Sequence, residues 1–201
     1  MAAILLIVAW NLIDWHHIQV IYRAGKTEST VFGVTFGATL LLPMEFAIYL
    51  GVLLSLVLYL RRTSKPKITA LARSHHAKQL VPAQRSNLPE CEALKIIRID
   101  GSIFFGAVDY VQSALMVIPQ KHVLIVASGI NFMDLAGTAL LANEAKRLNA
   151  LGGGLYLCNT NGSVIKPIIR NGHLSAIGKR HFFATKALAL SGIDDILHGH
   201  T

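Results

Sequence analysis

From Val31 to Leu60 (VFGVTFGATLLLPMEFAIYLGVLLSLVLYL) apolar residues follow one another with a single acid, Glu45, and no Lys or Arg. A run of about 18 or more such residues is long enough to cross a bilayer as a helix. Pro43 interrupts the run. Proline cannot continue the helical hydrogen-bond ladder, and it biases Leu42 away from helical angles. The pattern therefore predicts two antiparallel spans. At about 1.5 Å rise per residue, Met44–Leu60 makes roughly 26 Å of helix and Thr30–Leu42 about 20 Å. Both are short against a hydrocarbon core of about 30 Å, as suits helices inside a bundle. Ahead of them, Met1–Ile13 is apolar from its first residue and reads as the tail of a span that begins upstream. Asp14–Gly25 is amphipathic, with Trp15, Ile18, Ile21 and Tyr22 at helical spacing. Its tryptophan suits the headgroup layer. His16 and His17 are adjacent, point in different directions on a helix, and read as interfacial side chains rather than metal ligands.

After Leu60 the pattern changes. Thr63–Glu92 is polar, carries Pro66, Pro82 and Pro89, lacks apolar periodicity, and reads as a linker in which His75 and His76 are solvated. From Ala93 onward the elements alternate. Ala93–Ile99, Asp100-Gly101 and Ser102–Phe105 read as strand, two-residue turn and strand. Val108, Val111, Leu115 and Ile118 mark one face of a helix that stops at Pro119. His122–Ala127 (HVLIVA) is a continuous apolar run, expected of a central strand covered on both faces. Ser128–Gly137 reads as a loop. Thr138–Leu151 reads as a helix with Leu141, Ala145 and Leu148 inward and Glu144, Lys146 and Arg147 outward, ended by Gly152–Gly154. Leu155–Cys158 is a fourth strand and Ser163–Arg170 a shorter helix closed by Asn171-Gly172. His181–Phe183 is an edge strand, and Thr185 caps a last helix through Leu197.

Composition agrees with a membrane protein: 53% of the 201 residues are hydrophobic and only 15% charged, too apolar for an ordinary soluble domain. The net charge of +8 is local. Seven basic residues (Arg61, Arg62, Lys65, Lys67, Arg73, Lys78, Arg85) and no acid lie between Arg61 and Arg85. A basic stretch directly after a span places Arg61 onward in the cytoplasm and suits anionic headgroups. Neither a nucleic-acid recognition fold nor an aromatic stacking motif accompanies it, so nucleic acid is not expected as a partner. Ala2–Ala9 has no basic region before it and no cleavage site after it, so it does not read as a signal peptide. Cys91 and Cys158 lack metal-ligand spacing and fit a reducing compartment. With no nucleophile–base pair, no cluster of His, Cys and acid, and no P-loop, neither enzymatic activity nor a cofactor is expected. Gly33 and Gly37 on the first span, and Ala47, Gly51 and Ser55 on the second, form rows of small residues four apart. Such rows let helices approach closely in lipid, either each other or further helices of a bundle. Glu45, beside Pro43, reads as an interfacial residue near the positive end of the second helix.

Two parts of the chain carry a family resemblance. The segment VTFGATLLLPMEFAIYLGVLLSLVLYLRRTSKP resembles the last membrane spans of SulP-type anion transporters, with Pro43 standing where that family often has an acid. The order β-β-α-β-α-β-α-β-α, with NFMDLAG entering the second helix, resembles a STAS domain, in which SulP proteins characteristically end. The resemblance implies a membrane α-helical hairpin followed by an α/β STAS domain: residues 1–62 as C-terminal spans, 63–92 as a basic cytoplasmic linker, 93–201 as the STAS domain. It further implies the C-terminal portion of a secondary active inorganic-anion (sulfate-type) transporter in the plasma (inner) membrane. Its partners would be the lipid bilayer, the remaining spans, a second copy in a homodimer, and a regulatory protein at the STAS domain. Substrate sites of such folds lie at the interface of inverted repeats, and no position here matches one. In soluble STAS proteins, the anti-sigma factor antagonists, the loop aligned with Asp134, Leu135, Ala136 and Gly137 carries a phosphorylated serine. Ala136 stands at that position and has no hydroxyl, while Asp134 is placed to cap the following helix. The alternative from another class is a free-standing, membrane-tethered STAS module that binds a regulatory protein.

Overall fold

A computed structural model describes residues 2–12, 14, 16, 18–20, 26–73, 80–82 and 93–197. Trp15, His17, Ile21, Tyr22, Arg23, His75, His76, Lys78, Arg85, Pro89 and Cys91 lie outside the described residues. The chain forms two compact units, Met1–Arg61 and Arg62–Thr201.

The first unit contains α1 (Ala2–Leu12), α2 (Lys26–Leu41) and most of α3 (Met44–Thr63). The break falls at Pro43, as its chemistry requires. The Pro43 carbonyl then accepts from the N–H groups of Phe46 (3.0 Å) and Ala47 (3.3 Å), which starts α3. By length and composition α3 can cross a membrane, and the apolar part of α2, Ser29–Leu41, is shorter. Small residues mark where α2 and α3 approach. Ala47 is fully buried and Ala38 nearly so. A Cβ on Gly51 would stand 3.0 Å from Thr35 Oγ1.

The second unit is built on β3 (Leu94–Ile103). With β1 (Lys67–Arg73), β2 (Leu80–Pro82), β4 (His122–Val126), β6 (Gly154–Cys158) and β7 (Phe182–Phe183) it forms a sheet of order β2-β1-β3-β4-β6-β7, and β5 (Ile130–Met133) pairs with β3 off that path. β1 runs antiparallel to both β2 and β3, whereas β3, β4, β6 and β7 are mutually parallel. Period-two alternation sends Val123, Ile125, Leu155 and Leu157 to one face. There they meet α4 (Val108–Met116), α5 (Leu135–Ala150), α6 (Gly162–Arg170) and α7 (Leu174–Ile177). Leu124, Val126, Tyr156 and Cys158 go to the other face, with Ala189, Leu190 and Ile193 of α8 (Lys186–Leu197). A strand buried on both faces reads as a continuous apolar run, which is why β4 is so plain in the sequence. The expected fold class, a helical N-terminal region followed by an α/β domain with a mixed sheet, is the one observed.

Four particulars differ from expectation. Asp100-Gly101 is not a hairpin turn but lies inside β3, with Gly101 at φ +135° and a register shift in the pairing to β5 between Gly101 and Ser102. Glycine here makes a bulge that lets one strand continue past β4 to a new partner. The antiparallel neighbour of β3 comes instead from Lys67–Arg73, inside the stretch expected to be linker. Residues Ile130–Met133, expected as loop, form β5, and α5 begins at Leu135 rather than Thr138. Lastly, Glu144 is buried rather than outward, its carboxylate held by Arg147 Nη2 at 2.6 Å and Nε at 2.9 Å.

Gly101 and Gly152 separate two costs of a positive φ. A Cβ on Gly101 would also meet Pro66 Cβ at 3.0 Å, whereas one on Gly152 (φ +75°) meets open space. Gly152→Ala should therefore destabilise the second unit by about 1 kcal/mol from backbone strain alone. Gly101→Ala should cost about 1–3 kcal/mol at the same denaturant midpoint measurement. Equal losses at both sites would remove the role given to Pro66.

Candidate functional site

The loop between β5 and α5 is organised by one carboxylate. Asp134 sits extended (φ −98°, ψ −171°) as the N-cap of α5, and its Oδ1 accepts from the Gly137 N–H at 2.8 Å. Its Oδ2 accepts from the Phe105 N–H at 3.0 Å, at the other side of the crossover. A helix start leaves backbone N–H groups without intrahelical partners, and a short acid at the cap supplies one acceptor for them. The second oxygen ties that helix to the segment just past β3. Gly137 is required by proximity: a Cβ there would collide with the Ile103 carbonyl.

No residue of the loop presents a hydroxyl where the family's serine would stand. Ala136 is half-buried and lines a groove of about 400 Å³ with Val108, Gln112, Met116, Leu140 and Asn143, between α4 and α5. Leu135 is exposed, Gly137 is buried, and Asp134 is intermediate. The nearest hydroxyl, Thr138, is fully buried, donating to the Leu135 carbonyl at 2.9 Å and accepting from Asn171 Nδ2 at 3.0 Å. The four loop residues stand at the start of α5, and their geometry is that of a cap.

The small-residue rows divide. Ala47 and Gly51 lie at the α2–α3 approach, while Ser55 is exposed. Nothing stands within 4 Å of where a Cβ on Gly33 or Gly37 would be. Among the described residues that row does not serve the approach of α2 to α3.

One cluster was not anticipated. His122 Nδ1 and the Tyr156 hydroxyl share a hydrogen bond at 3.2 Å, and the Tyr156 and His181 rings are 4.6 Å apart. His181 Nδ1 donates to the Leu155 carbonyl at 3.0 Å. These residues are scattered over 60 positions of sequence, and the parallel pairing of β4 with β6 and of β6 with β7 brings them together. Burial first, then the charges of His181 and Lys121, lower the His122 pKa. On the same face burial pushes the Cys158 thiol up to about 11, which makes it an inert core residue.

The STAS domain family model matches residues 85–189, slightly more than half of the chain. The chain belongs to the STAS-domain family. Helices followed by this domain form the arrangement of the C-terminal part of a SulP-type transporter, and the relatives agree. YvdB of Bacillus subtilis (strain 168), a protein named for sulfate transport, is 27% identical over 186 residues, covering 91% of this chain and 34% of that protein. Sulfate transporter 4.1, chloroplastic, of Arabidopsis thaliana is 24% identical over 204 residues, covering 91% of this chain and 29% of that protein. The chain thus spans about a third of the length of the relatives it matches. The structure of the murine Slc26a9 anion transporter in its inward-facing state shares the fold, with a TM-score of 0.77 at 20% identity over 89% of this chain and 30% of that one. The relatives are transporters rather than enzymes, and membrane proteins.

Because the loop lacks an acceptor, incubating the full chain with ATP and an anti-sigma-type kinase should leave the peptide Ile130–Leu141 unmodified by mass spectrometry. Stoichiometric phosphate there would mean that another hydroxyl is presented. The histidine cluster makes stability depend on pH. His122 has a folded pKa below its ordinary 6.5, so the unfolded chain takes up a proton that the native state lacks. Stability contributed by neutral His122 is full above about pH 6.5 and is lost as pH falls below it. The thermal midpoint of the second unit should drop between about pH 7 and pH 5, and His122→Phe should flatten that slope. An unchanged slope would show that His122 is solvated.

Proposed function

We propose that this chain is the C-terminal portion of a secondary active transporter of an inorganic anion of the sulfate class. In this reading α2 and α3 are membrane spans, and the STAS domain is a cytoplasmic unit for regulation or for contact with a second copy. The observation that carries it is the direct succession of α3, apolar until Arg61, and a STAS domain whose first strand begins at Lys67. Sulfate transporters among the relatives supply the substrate class. Arg61, Arg62, Lys65 and Lys67 at the end of α3 favour a cytoplasmic position for everything after it. The remaining spans would close the bundle, and the open row of Gly33 and Gly37 is suited to receive one of them. The polar stretch after Thr63 then acts as a tether that is partly strand, with the plasma (inner) membrane as its location. Substrate would be bound by spans outside this chain, since no midplane site between repeats can be built from α2 and α3.

Two measurements test this reading. Disrupting the coding region of this chain in its host should abolish saturable uptake of radiolabelled sulfate, and unchanged uptake of sulfate and of other inorganic anions would overturn the transport reading. Separately, cysteine placed at Met44 should react with an impermeant thiol reagent added to intact cells, and cysteine at Ser86 should not. The reverse pattern would overturn the topology.

A further inference from the structure

The second unit exposes large apolar side chains at one end of its sheet. β1 pairs with β3 so that Lys67 lies opposite Asp100, which brings the chain in at the end where β3 finishes. There Ser64 Oγ and Pro66 stand against Gly106 and Gly101. Only Ser64, Lys65 and Pro66 separate α3 from β1, a reach of about 10 Å. At this same end Phe105 is 75% exposed, Phe132 55% and Leu135 64%. They are fixed relative to each other by the Phe105 N–H bond to Asp134, which precedes Leu135, and by the register that sets Phe132 opposite Ser102. Exposed apolar side chains of this size, grouped at one end of a domain, suit an interaction surface.

Basic side chains predominate around them, although Asp109 is exposed in the first turn of α4 and Asp100, paired with Arg98, lies beside the Gly101 bulge. Lys166 and Arg170, one turn apart on α6, line a cleft of about 300 Å³ together with Phe132 and Ser163. Among the described residues neither forms an ion pair. Arg61, Arg62, Lys65 and Lys67 are exposed where the chain arrives. Asp134, the acid within the patch, has both oxygens occupied by backbone N–H groups. An exposed aromatic flanked by Lys166 and Arg170, with further cations where the chain enters the domain, has the composition of a lipid-interface surface.

We propose that this end of the STAS domain docks on anionic lipid headgroups, with Phe105, Phe132 and Leu135 entering the interface and Lys166 and Arg170 holding phosphate groups. The inference rests on the reading that α2 and α3 lie in the bilayer, and it adds a composition-dependent contact to it. Long cationic stems can reach headgroups while their apolar parts stay on the protein. The Lys166 stem lies along its own helix, with Cδ and Cε within 4 Å of where a Cβ on Gly162 would be. Lipid charge would then set how often this face engages the headgroups.

The test uses the full chain in nanodiscs, with Cys91→Ser and single cysteines at Phe105, Phe132 or Val57 labelled with bimane. Cys158 is fully buried and stays unlabelled. Doxyl-labelled lipid should quench the labels at 105 and 132 in discs rich in phosphatidylglycerol but not in pure phosphatidylcholine. Each cation at an anionic surface is worth about a five-fold change in occupancy, so Lys166→Gln with Arg170→Gln should lower the ratio of docked to free domain roughly 25-fold. Labels that stay water-accessible in both lipids overturn the proposal. So do labels shielded from water-soluble quencher yet unquenched by lipid, since protein would then cover the patch. Quenching indifferent to lipid charge and to the double substitution overturns it too. The Val57 label separates the two readings: if it escapes lipid quenching, the membrane reading fails and this inference with it. Val57 quenched with 105 and 132 unquenched removes this inference alone.

Discussion

Strand β3 is the constraint on which the second unit depends. It pairs with β1 on one edge, with β4 on the other, and past Gly101 with β5. Every buried backbone N–H and carbonyl needs a partner, and a strand of ten residues satisfies its own only if three separate segments come to it. Its side chains also divide the core: Ile97, Ile99 and Ile103 enter one apolar cluster, and Leu94 and Ile96 the other. Both layers of helices are thus referred to one strand, and a bulge at Gly101 decides where its last residues point.

The far end of β3 carries that geometry into the loop. It supplies the Ile103 carbonyl, which accepts from the Asp134 N–H at 3.3 Å and leaves no room for a side chain at position 137. The Asp134 carboxylate then joins α5 to the Phe105 backbone. In a switchable STAS loop a phosphate would bring negative charge beside such a cap, and two acids at one helix start would compete for the same N–H groups. Here Ala136 withholds the acceptor, Thr138 is locked by Asn171, and the carboxylate alone fills the role. The start of α5 is thus held by side chains of this chain alone.

How much of the fold and of the loop was legible depends on where the information lies. β4, β6, α4 and α6 were readable because burial on two faces, or on one helical face, writes itself into consecutive residues. The Asp134 cap was readable for the same reason, since its partner Gly137 is three positions away. β1 was not. Its sequence, KITALAR, holds two large apolar residues between prolines and cations, and it is a strand because β3 needs an antiparallel edge, a requirement set by residues far along the chain. The misread of Asp100-Gly101 has the opposite origin. A local turn signal was overridden because Pro66 and β5 reward continuing the strand. Glu144 misled because a charged residue is expected outside, whereas a bidentate arginine one turn later satisfies both of its oxygens. His122, Tyr156 and His181 carry no local pattern at all.

The same pairing that hid β1 also shortens the connection that follows α3. A flexible linker after a span would leave the domain free to tumble, with an end-to-end distance growing as the square root of its length. Only three residues precede β1, and Pro66 among them is buried against the Gly101 bulge. The edge strand therefore shortens the tether almost to nothing. Five paired residues, Lys67 to Leu71, then hold the chain to β3.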